Sequence, residues 1–251
     1  MNISNCKLDW LAPKPARAVA AFSAALEAAL GDRLVCLALT GSVVSGDFVE
    51  GVSDINSVVI VKDLDRATLE RLAQLGRRHG KRGIHAPLVL TADAIASSLD
   101  VFPIEFLELR LAHRVILGAY DFAAPAIDAA NLRLQLEREL KARLINLRQG
   151  YLSASGDSQR LAALLLSAYK GFFPLLRAYL HLKGQTPPLR RCETLAAARQ
   201  ASGLAFACFE QLEGLSRARR PRLKEAQATA LFESLYETTH ALADQVDRHL
   251  A

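Results

Sequence analysis

Residues 34–61 read LVCLALTGSVVSGDFVEGVSDINSVVIV. Leu34–Leu39 is a short continuous apolar run, the pattern of a strand buried on both faces. Asp54–Val61 is a second strand candidate, rich in β-branched residues. The polar residues between them are informative. Gly41 has no side chain, so its backbone can approach a phosphate closely. A short helix starting at Ser42 points free N–H groups at an anion, and the Ser42 hydroxyl adds a donor. Residues two apart on a strand face the same side. Asp54 and Asn56 therefore aim oxygens at one place, as a metal bridging nucleotide phosphates requires.

Thr40-Gly41-Ser42, eleven further residues and then Asp54-Ile55-Asn56, set between two strands, resemble the nucleotidyltransferase superfamily. That group includes DNA polymerase beta and the aminoglycoside nucleotidyltransferases. The resemblance covers residues 34–61, and the helical second half is similar to the C-terminal bundle of the small antibiotic-modifying members. It implies an α+β fold: a mixed sheet flanked by helices, followed by an all-α helical bundle. It also implies that Gly41 and Ser42 hold a nucleoside triphosphate. Asp54 and Asn56 would be the catalytic and metal-binding pair for Mg2+, and Lys170 a counterpart of the lysine that the helical domain lends to the triphosphate. The reaction implied is transfer of a nucleoside monophosphate to a hydroxyl of a small-molecule acceptor, with pyrophosphate leaving and metal ions stabilising the attacking and leaving oxygens.

The chain departs from the family pattern in its acids. The second acid of the pair is Asn56, whose amide oxygen carries no charge. The third carboxylate belongs on a later strand, and Ile84–Leu90 offers only His85, read here as a half-buried strand histidine. Three negative charges thus fall to one, which weakens the attraction for a hard divalent cation and removes candidate general bases. Glu105 and Glu108 are carboxylates that the chain would have to bring in as compensation. Two readings stand at this point: a nucleotidyltransferase with weakened catalysis, or a binding or scaffold protein that kept the fold and lost the metal site.

Outward from this stretch, Pro13–Leu30 predicts an opening helix, with prolines at its start where the missing N–H costs least. Asp65–Arg78 predicts another helix. Ile84–Leu90 predicts a third strand, with Pro87 marking an edge or bulge. Thr91 caps a short helix through Ser98. Ile104–Gly118 is ambiguous, with Val115–Gly118 a candidate last strand. From Asp128 helix signals dominate, beginning with a long helix whose Leu132, Leu136, Leu140, Leu144 and Leu147 share a face and whose Arg133, Glu137 and Lys141 can pair. Ser153–Asp157 reads as a linker, Gln159–Lys183 as one helix kinked at Pro174, Gly184–Pro188 as a break, and Glu225–Leu250 as the last helix. The boundary falls at residues 120–128, giving a nucleotidyltransferase-like unit over 1–125 and a helical bundle over 126–251.

A net charge of +5 among 251 residues suits anionic partners. The basic runs Arg77–Arg82 and Arg217–Lys224 lack interleaved aromatics for base stacking, which argues against nucleic acid. The four cysteines, Cys6, Cys36, Cys192 and Cys208, have no zinc-ligand spacing and fit a reducing cytoplasm. The N-terminus lacks the pattern of a signal peptide, and no apolar run of about 20 residues predicts a membrane span. The expected location is cytoplasmic. The Ala- and Leu-rich helices suit self-association into a homo-oligomer.

Overall fold

The computed structural model describes residues 8–218 and 222–249. Cys6, residues 219–221 of the second basic run, and Leu250 lie outside them. The elements in order are α1 (Pro13–Leu30), β1 (Leu34–Thr40), α2 (Ser42–Ser45), β2 (Asn56–Val61), α3 (Arg66–His79), β3 (Leu88–Leu90), α4 (Ala92–Ala96), α5 (Pro103–Leu111), β4 (His113–Gly118), α6 (Ala129–Ala154), α7 (Ser158–Lys170), α8 (Phe172–Leu182), α9 (Arg191–Ser202), α10 (Phe209–Ser216) and α11 (Glu225–His249). The chain forms two compact units: Met1–Leu99 with Glu108–Ala126, and Asp100–Leu107 with Ile127–Ala251. This is an α+β fold, a mixed sheet with helices and a C-terminal helical region.

In the first unit the strand order is β3-β2-β1-β4. β1 runs antiparallel to both β2 and β4, and β2 runs parallel to β3. β1 and β2 are nearly continuous apolar runs because both faces of the sheet centre are buried. On one face Leu37, Leu39, Val59 and Val61 join Val19, Phe22 and Leu26 of α1 and Leu72 and Leu75 of α3 in one core. The alternate residues Cys36, Ala38, Val58 and Ile60 are buried as well. α3 starts where Asp65 accepts the Thr68 N–H at 2.7 Å, and the same carboxylate accepts from Arg33 at 2.9 Å. Arg33 holds Asp65 well below the ordinary carboxylate range, helped by the two bonds from Thr68 and its amide.

Several sequence expectations change here. β2 begins at Asn56 rather than Asp54. β3 shrinks to Leu88–Leu90, with Ile84 held to Ile55 only by an isolated parallel bridge. Pro87 lacks the N–H that would continue the ladder between them. His85 is exposed rather than half-buried. The ambiguous stretch resolves into α5 and then β4, which starts at His113.

In the second unit α6 is capped by Asp128, which accepts the Asn131 N–H at 2.9 Å. It buries Leu132, Leu136, Leu140, Leu144 and Leu147 and continues to Ala154, so the linker is confined to residues 155–157. Glu137 is bonded by Arg133 and Lys141. The helix expected over Gln159–Lys183 is two helices, divided at Gly171 rather than bent at Pro174. A helical Pro174 would clash with the carbonyl of Lys170. Breaking the chain at Gly171 places the proline in the first turn of α8, where no backbone donor is needed. Arg143 fastens the break from α6, donating to the carbonyls of Ala168 at 2.6 Å and Gly171 at 3.1 Å. α10 is an element the sequence reading did not assign. Taken together across the break, Ser158–Leu182 is long and apolar enough to cross a membrane by length and composition alone, and 61% of its most apolar window is buried within the protein.

Candidate functional site

β1 delivers the site by ending at Thr40, directly opposite Asn56 on β2. Gly41 follows with φ 69° and ψ −146°, and one helical turn then runs from Ser42 to Ser45. The turn is closed by the amides of Val44 and Ser45 on the Gly41 carbonyl and those of Gly46 and Asp47 on the Ser42 carbonyl, at 3.0–3.2 Å. Val43 is buried and pins the turn to the core. The amides of Ser42 and Val43 sit at the open end, where a helical turn has no acceptor of its own. A Cβ on Gly41 would lie 3.3 Å from Nδ2 of Asn56. The bare backbone of the turn and the Asn56 side chain are thus immediate neighbours.

The chain returns through a folded loop. The Ser53 amide donates to the Val49 carbonyl at 2.8 Å, and the Val49 amide donates to Oγ of Ser53 at 3.1 Å. Asp54 and Asn56 are exposed on either side of the buried Ile55, the alternation that puts two residues on one side of an extended chain. Ile55 is also fixed laterally. Its N–H donates to the Gly83 carbonyl at 2.8 Å, and its carbonyl accepts from His85 at 3.0 Å. Among the described residues the Asp54 carboxylate makes no hydrogen bond or ion pair.

Asp54 opens onto a cleft of about 320 Å³ that also takes in Lys14, Glu50, Lys81 and Arg82. Lys14 Nζ stands 3.2 Å from Oε1 of Glu50. Lys81 and Arg82 come from the 3₁₀ turn Gly80–Arg82 after α3. In the sequence this pair stands out only as part of the basic run Arg77–Arg82. The usable signal was the pair of flanking glycines: they mark a tight turn feeding Ile84, the residue that bridges to Ile55 beside Asp54.

The remaining candidates are placed less helpfully. Glu105 belongs to the second unit, where it accepts from Nε2 of Gln135 at 2.8 Å while Oε1 of the buried Gln135 accepts the Ile104 N–H at 2.8 Å. That carboxylate is engaged in seating α5. Glu108 is half-buried in the first unit, and Lys170 is exposed at the last position of α7 in the second. Among the described residues no three His, Cys, Asp or Glu side chains gather as a metal-binding group. One carboxylate and one amide oxygen do not fit a divalent cation held by the protein itself.

No protein-family model matches the chain, and no curated protein matches it significantly. Solved structures do match. One is spectinomycin adenyltransferase AAD(9) from Enterococcus faecialis, solved with ATP and spectinomycin. It aligns over 90% of this chain and 98% of its own length, with a TM-score of 0.57 and 14% identity. The likeness is one of fold.

Proposed function

We propose that this chain binds a nucleoside triphosphate at the Gly41–Ser42 turn and transfers its nucleoside monophosphate to a hydroxyl of a small molecule, with catalysis weakened by the loss of two acids. The observation that carries this reading is the turn itself: an open helical end whose bare glycine backbone abuts Asn56, one alternation from the exposed Asp54. The fold likeness to an enzyme solved with ATP and a small-molecule antibiotic supports it. In this reading residues 1–125 carry the transfer site. Residues 126–251 form the helical bundle, with Lys170 exposed at the last position of α7.

The amides of Ser42 and Val43 and the Ser42 hydroxyl donate to phosphate oxygens. The acceptor's hydroxyl oxygen forms a bond to the α-phosphorus as the bond to pyrophosphate breaks, and the hydroxyl proton leaves to Asp54 or to water. No step is assigned to a metal ion, because the side chains present do not fit one. The missing acids favour a second reading, in which the nucleotide is bound and not turned over.

Pyrophosphate release measured with ATP, Mg2+ and a panel of hydroxylated acceptors separates the two. A transferase releases pyrophosphate, and Asp54→Ala lowers the rate on the order of 10²-fold. Asn56→Asp, which restores a charged oxygen at the same point, raises affinity for the divalent cation and the rate together. Equal rates in wild type and Asp54→Ala remove Asp54 from the chemistry. Nucleotide binding without release under any condition selects the second reading.

A further inference from the structure

Beside the phosphate turn, Asp54 opens onto a cleft that is lined by cations, although Gly41, Ser42 and Asn56 are not among its lining residues. Lys81 and Arg82 project from the Gly80–Arg82 turn, and among the described residues neither side chain has an ion pair or hydrogen bond. The third cation of the cleft, Lys14, is already engaged by Glu50 at 3.2 Å. Asp54 is therefore the one carboxylate in the cleft without a partner, faced by two cations without partners. The turn is held in place: the Gly83 carbonyl takes the Ile55 N–H at 2.8 Å, and Gly83 donates back to Gly80 at 3.0 Å. Its position relative to Asp54 is thus set by backbone bonds to the adjacent residue. The volume, about 320 Å³, lies at the low end for small-ligand sites.

A metal-using phosphate site places carboxylates around a cation, and the cation meets the phosphate. Here the positive charge is covalently part of the protein. An arginine presents paired donors to phosphate oxygens, and a lysine meets them as a point charge. We infer that the cleft between Asp54 and the Gly80–Gly83 turn holds the polyphosphate of a nucleotide directly through Lys81 and Arg82, so that the nucleotide binds without a divalent cation. This rests on the nucleotide-binding reading above and extends it: the polyphosphate reaches from the Gly41–Ser42 turn past Asp54, the residue the turn's site and the cleft share, to the two cations.

Equilibrium binding by calorimetry, in EDTA and in Mg2+, tests the inference on the full chain with ATP, adenosine and inorganic tripolyphosphate as probes. Wild type is expected to bind ATP and tripolyphosphate in EDTA, more weakly as salt rises, and to bind adenosine poorly. Lys81→Gln with Arg82→Gln is expected to weaken ATP binding in EDTA by roughly tenfold or more. Both side chains are exposed, so the double variant should keep the wild-type melting temperature, and Arg82→Lys should recover part of the affinity. ATP binding that appears only with Mg2+ overturns this inference and leaves the nucleotide reading standing. A less than twofold change in the double variant, or adenosine binding as tight as ATP, also overturns it. No binding of ATP in either condition ends both.

Discussion

His79 shows how one buried side chain can make a whole unit sensitive to acid. Its ring lies edge-on to Phe22 at 5.7 Å, and neither ring nitrogen has a hydrogen-bond partner among the described residues. Burial, with Arg82 and Arg78 nearby, lowers its affinity for a proton below the ordinary value of 6.5. The unfolded chain therefore binds a proton that the folded chain resists. The stability His79 contributes is complete above about pH 6.5 and is lost as pH falls through its lower folded value. Urea unfolding at pH 7.5 and 5.5 should show a fall in midpoint for wild type that His79→Leu reduces. An equal fall in both proteins would assign the effect to other groups. No local pattern marks this: LGRRHG reads as a basic helix end, and only α1 lying against α3 turns that histidine into a core residue.

At the scale of elements, the pairing of β1 with β4 depends on one backbone position. Gly118 closes β4 opposite Cys36 with φ 69°, and a Cβ there would stand 1.9 Å from the Val35 carbonyl oxygen. Gly118→Ala must therefore shift the strand end while also adopting a left-handed backbone. We expect a loss on the order of 3 kcal/mol, read as a lower urea midpoint with unchanged slope. A variant within about 0.5 kcal/mol of wild type would mean the strand end relaxes freely. Elements with a clear period and a clear stop were legible beforehand: α1 runs from Pro13 to Leu30 as its prolines and apolar spacing imply. Two cues were harder to place. Pro174 does disrupt a helix, but the chain answers three residues earlier, at Gly171, because the clash is with the carbonyl of Lys170. α10 lies on FEQLEGLS, too short for its apolar period to stand out from a loop.

Across the whole molecule, the motif at residues 40–56 was readable because turn chemistry is local: Gly41, Ser42, Asp54 and Asn56 all lie at or beside the junction of two neighbouring strands. The cleft partners were not readable, because Lys14, Glu50, Lys81 and Arg82 are brought to Asp54 by tertiary folding and carry no shared spacing. The same holds for Glu105, which sequence proximity offered as a spare catalytic acid and which instead braces Gln135. The order of the chain through its two units has a practical outcome. Residues 100–107 leave the sheet-bearing unit for the other one, and β4 is made only after the chain comes back. A protein fragment ended at Leu99 would keep β2 and lose β4, the other neighbour of β1. The amides and carbonyls of a strand whose side chains are almost wholly apolar would then form a bare rim, the template on which chains add to one another. Such a fragment should sediment as aggregate, whereas one continued through Ala126 regains the closing strand and should stay dispersed.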